Sequence, residues 1–121
     1  MDKYRLIELL NNCTELFHQT NSLYQETVNN PKNPSPIVSV YLSEIYTLSE
    51  KAKLFLAMNE ELAHYEITSL FNFWNDVYFE LKEVIAQRDR NTSWLYSKFE
   101  NYKKQHEIVE RMLKDQIQQL N

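Results

Sequence analysis

Three histidines and a single cysteine are the side chains here best suited to metal binding, proton transfer or nucleophilic attack near neutral pH. The run Glu61-Leu62-Ala63-His64 has the Glu-x-x-His spacing that lets a carboxylate and an imidazole share one helix face and hold one metal, as in carboxylate-bridged di-iron bundles. Such a site draws ligands from other helices as well, and His64 projects away from its apolar stripe. Glu61 and His64 are the metal candidates named from this spacing, and neither a metal nor another cofactor is expected.

His106 stands apart because it falls inside an apolar stripe with Leu95, Phe99, Tyr102, Val109, Leu113, Ile117 and Leu120. It is the buried polar candidate, open to two readings. One is a titrating group or ligand at the centre of a small-ligand or metal-binding bundle. The other is a core histidine bonded to a neighbouring Tyr, Glu or backbone group, the simpler reading because buried polar groups are ordinarily satisfied. His18 and His64 project off their stripes toward solvent. Cys13 lies on the apolar side of the first helix, diverges from His18, and acts as a small hydrophobe. No local Ser–His–Asp or Cys–His arrangement is present and the carboxylates are scattered, so the chain is not expected to be an enzyme.

The stretch FNFWNDVYF, residues 71–79, concentrates aromatic side chains. At about 100° per residue, Phe73, Trp74 and Val77 fall with Leu70, Leu81 and Val84 on the core side. Phe71, Tyr78 and Phe79 form a second stripe, flanked by Asn75 and Lys82. Leu54 and Met58, four apart, form a smaller patch, with Tyr46 also off the core face. These are the interface candidates, because aromatic anchors dominate interface energetics.

The elements that must carry these residues are helices. Apolar residues recur at helical spacing over residues 2–28, 36–58, 61–88 and 93–120 of one domain spanning 1–121. In the first helix Leu6, Leu10, Cys13, Phe17 and Tyr24 share a face opposite Asn11, Asn12 and Glu15. In the second, Val38, Tyr41, Leu42, Ile45, Leu48, Ala52, Phe55 and Leu56 do. NNPKNPSP makes residues 29–35 a loop, with Ser35 and Pro36 as cap and first turn. Arg88 and Arg90 suit a helix end, and Thr92 or Ser93 the next cap. A turn near 58–61 would place Asn59 as a cap and Glu60 and Glu61 in a first helical turn. The expected fold is all-α, an antiparallel four-helix bundle. The alternative is a three-helix bundle with a long, kinked middle helix.

Composition narrows function further. With no glycine, the chain lacks every Gly-rich phosphate loop and the usual residue of tight β-hairpins. A net charge of −4 with dispersed Lys and Arg offers no nucleic-acid footprint. No apolar run reaches about 18 residues and no signal pattern opens the chain, so no membrane role is expected. One cysteine excludes an internal disulfide and suits a reducing, cytoplasmic setting. The expected function is a protein–protein interaction module, such as a regulator, adaptor, chaperone-like or immunity-type protein. It would act through exposed helix faces on a protein partner or on itself as a homodimer.

Overall fold

The computed structural model describes residues 2–29, 36–87 and 92–121. Helices α1 (Lys3–Asn29), α2 (Pro36–Ala57), α3 (Tyr65–Gln87) and α4 (Ser93–Gln119) account for nearly all of them, and no strand occurs among the described residues. Each helix packs on the next, and α4 closes back on α1. The result is the antiparallel four-helix bundle. The loop expected over residues 29–35 starts one residue late, Asn29 being the last residue of α1, and its residues 30–35, the expected cap at Ser35 and the arginines at 88 and 90 lie outside the described residues.

The packing follows a repeat of three and four residues. In α1 the buried positions include Leu6, Leu9, Cys13, Leu16, Thr20, Leu23 and Thr27; in α4 they are Leu95, Phe99, Tyr102, His106, Val109 and Leu113. Alternating steps of three and four belong to helices that interlock side by side along a long seam. An unsupercoiled helix drifts about 20° per heptad against that seam. The drift corrects the expected faces. Asn12, expected outside, is buried; Tyr41, expected inside, is exposed, as is Leu120. Leu10 and Phe17 flank the core rather than centre it. They lie toward α4, where Phe17 stacks on the His106 ring at 4.3 Å and Tyr24 on Phe99 at 4.1 Å.

Asp2 starts α1, its side-chain Oδ1 accepting the Tyr4 N–H at 2.9 Å. Thr92 precedes α4 without a side-chain cap; its carbonyl accepts the Tyr96 N–H at 2.9 Å. The connection from α2 to α3 is longer than the sequence suggests. α2 stops at Ala57, a 3₁₀ turn spans Glu60–Leu62, and α3 begins only at Tyr65, not at 61. Glu60 and Glu61 therefore sit in the short turn rather than in a helix start. The Asn59 side chain does not cap forward either. It is buried and donates backward to the Phe55 carbonyl at 2.8 Å, closing the end of α2. At Ala63, φ −81° and ψ 63° with a His64 N–H bond to the Leu62 carbonyl make an inverse γ-turn. A 3₁₀ turn followed by an inverse γ-turn reverses the chain with negative φ at Asn59 and Ala63, −135° and −81°, so neither position calls for glycine. Buried Leu62 anchors the connection to the core.

A buried side-chain bond ties α3 to α1. The Trp74 indole N–H on α3 donates to Thr20 Oγ1 on α1 at 3.0 Å, with both groups buried. Thr20→Val keeps the volume but strands the indole donor, so unfolding free energy should fall by about 1–3 kcal/mol, with Thr20→Ser recovering most of it. Urea denaturation of the three proteins checks this; a Val variant within about 0.5 kcal/mol of the parent would show that the bond contributes nothing net.

Candidate functional site

The interior candidate is His106. Its imidazole is buried on the α1–α4 seam, one face against Phe17. Nε2 lies 3.3 Å from Glu110 Oε2, one helical turn on, while Glu110 Oε1 accepts from Lys114 Nζ at 3.1 Å. Nδ1 is buried without a hydrogen-bond partner among the described residues. Burial holds the imidazole below the usual histidine range, against the upward pull of the Glu110 carboxylate, and His18 adds a smaller push downward. Around it, Cys13 and Tyr102 are buried. Burial pushes the Cys13 thiol up to about 12, and burial with the nearby Cys13 sulfur raises the Tyr102 phenol well above its ordinary range. The Tyr102 hydroxyl has no well-formed partner; Thr20, beside it, already accepts from Trp74. This is the geometry of a core histidine with a carboxylate beside it one helical turn away.

The metal pair is not assembled. Glu61 sits in the 3₁₀ turn and accepts from Arg5 Nη1 at 2.9 Å; its own backbone N–H and then Arg5 hold its carboxyl below the usual range. His64 follows that turn, so the two do not share a helix face. His64 is also not the solvent-facing group expected: it is half-buried, with Nε2 enclosed and unpartnered. No group of three or more His, Cys, Asp or Glu able to hold a metal occurs among the described residues.

On the surface, the proposed aromatic stripe separates. Phe71 is 5% exposed and belongs to the core, a correction that follows from α2 covering the α3 edge on which it lies. It borders a groove of about 370 Å³ with Leu56 and Ala57 of α2. Phe73, expected as a core anchor, is only half-buried. Tyr78 is half-buried, stacked on Trp74 at 5.2 Å and tilted against Tyr46 of α2 at 5.5 Å. Lys53 reaches across the same seam, its ammonium bonded to Asn75 Oδ1 at 3.0 Å and 5.5 Å from the Trp74 ring. Phe79 stands clear at 59% exposed, with Lys82 also exposed. Leu54 and Met58 are 62% and 76% exposed, Met58 lying in the turn just past α2.

The exposed side chains that the sequence reading did not single out include Ile37 and Val40 on α2, and Trp94 at the start of α4. The available signal was α2 itself, which carries more apolar residues than one buried face can use. Ile37, Val40, Tyr41 and Leu48 border two adjoining grooves between α1 and α2, of about 420 and 470 Å³, which share Gln19.

Two outcomes follow for the interior. His106 is protonated more readily in the unfolded chain than in the fold. Its contribution is therefore complete above about pH 6.5 and is lost as pH falls from there toward its lower folded value. The Glu110 carboxylate, held low first by Lys114, loses its contribution only at more acid pH, below the ordinary carboxylate range. The urea midpoint should thus drop between about pH 7.5 and pH 5, less steeply in His106→Phe and more steeply in Glu110→Gln. Equal slopes in all three would overturn this assignment. Cys13 should resist a thiol reagent in the native protein and react fully in urea, since only the thiolate is nucleophilic. Rapid native labelling would show that the seam opens. No protein-family model, no curated protein and no solved structure matches this chain.

Proposed function

We propose that this protein is a non-catalytic interaction module, of the regulator, adaptor, chaperone-like or immunity type. It would engage a protein partner, or a second copy of itself, through the outer side of α2 and the adjoining edge of α3. The observation that carries the reading is the apolar character of α2 away from the core. Val40, Tyr46, Leu54 and the following Met58 are exposed, as is Phe79 on α3, while a separate set, Val38, Ile45, Ala52 and Leu56, serves the core. Apolar groups left in water over neighbouring turns are what a partner surface covers, and Tyr and Phe bring large area at low entropic cost. No helix among the described residues is long and apolar enough to cross a membrane. A reducing, cytoplasmic setting agrees with the buried thiol of Cys13. A ligand-binding reading centred on His106 has one observation in its favour, the unpartnered Nδ1. It comes second because Phe17 and Glu110 already occupy the ring's surroundings.

Phe79→Ser and Leu54→Ser each remove an exposed side chain and should leave stability within about 0.5 kcal/mol of the parent. Their combination should abolish self-association in sedimentation, or retention of whichever protein co-purifies from the native host. Unchanged assembly and unchanged retention in a folded double variant would sink this reading.

A further inference from the structure

The side of α2 turned toward α1 differs in chemistry from the side turned toward α3. The two adjoining grooves run from Leu48 to Ile37 along α2, eleven residues and roughly 16 Å, about three helical turns. The first groove has a mainly apolar floor, with Val40 54% exposed near Leu48, while the second is mixed, Leu23, Ile37 and Tyr41 standing with Gln19 and Ser22. Among the described residues the rim carries only one sign of charge. Glu15 of α1 and Glu44 of α2 face the first groove, Glu26 lines the second, and no described lysine or arginine lines either. Neither Glu15 nor Glu44 forms an ion pair among the described residues. The α2–α3 edge, by contrast, holds Lys53 over Trp74.

We propose that the α1–α2 groove is the docking site for a cationic amphipathic helix of another protein, an assignment that rests on the interaction-module reading above. A channel three turns long with apolar side chains along it matches a helix presenting apolar residues at i, i+3 or i+4, and i+7. The carboxylates specify what flanks that stripe. Lysine or arginine beside it meets Glu15 and Glu44 at the edge of the groove, where opposite charge sets partner choice and association rate. A second copy of this chain docking groove to groove would bring Glu15 and Glu44 against carboxylates of the same sign. Nucleic acid and anionic lipid are repelled by the same groups.

The test uses the full chain and a labelled synthetic helix of about four turns, with leucines at i, i+3 and i+7 and lysines flanking them, beside its twin carrying glutamate for lysine. By fluorescence anisotropy the lysine peptide should bind at least roughly tenfold tighter than the twin, and salt should erode the difference. Amide shifts should move at Gln19, Val40 and Glu44. Glu44→Lys should lose roughly tenfold in affinity for the lysine peptide and gain for the twin, at unchanged thermal stability. Equal binding of both peptides, no binding of the lysine peptide, shifts confined to residues around Phe79, or indifference of Glu44→Lys would each overturn the groove assignment. If these fail while the Phe79→Ser, Leu54→Ser protein still loses its partner, the interaction-module reading stands and only the groove assignment falls.

Discussion

Four helices here must bury one another along a seam whose positions recur at alternating intervals of three and four residues, and most other features follow from meeting that condition. The repeat selects Leu6, Leu9, Cys13 and Leu16 in α1 and Leu95, Phe99, Tyr102 and Val109 in α4. It also selects Thr20, Ser49 and His106, which are polar. Each brings a hydrogen-bonding group into a place where leaving it unmade costs a few kcal/mol. Thr20 meets this with the Trp74 indole, Ser49 by donating to the Tyr46 carbonyl at 2.8 Å, and His106 in part through Glu110. A tryptophan bonded across the bundle ties α3 to α1 in one register, which purely apolar packing would leave less specified.

The same condition explains what is left outside. A seam uses about two positions in seven on each helix, with flanking positions covered by the neighbours. Most outward positions of α1 and α4 are polar or charged, and their exposed aromatics stand toward the ends, as with Tyr4 and Trp94. α2 departs from this: beyond the residues its seam requires, it holds Val40, Tyr46 and Leu54 in water. Folding gives no use for them, since the core is complete without them. That surplus is why the functional reading centres on α2 rather than on His106. The imidazole, however suggestive on paper, is packed as part of the α1–α4 seam.

The sequence carried the helix count, the helix ends to within a residue or two at most termini, and the burial of His106, because a long amphipathic repeat is a strong local signal. It also placed Phe79, Leu54 and Met58 off the core. It failed at the rotation of individual faces. Asn12, Tyr41, Phe71 and Phe73 all sit near the boundary between stripe and surface. There, a drift of about 20° per heptad and the reach of the neighbouring helix decide the outcome. The late start of α3 was missed because no glycine or proline marks it. The bend is made instead by backbone angles open to any residue, held by Leu62 in the core and by Asn59 turned back on α2.

Local sequence therefore determined that four amphipathic helices form and which residues are apolar enough to be buried, since both depend on periodicity along one strand of chain. Only the tertiary structure decided which boundary residues are covered, because that depends on the distance and angle of a second helix. Phe71 and Phe79 make the point. They are two turns apart on α3, yet α2 covers one and leaves the other in water. The acidic groove is of the same kind. Glu15 and Glu44 are separated in sequence, and only the packing of α1 on α2 sets them along one channel.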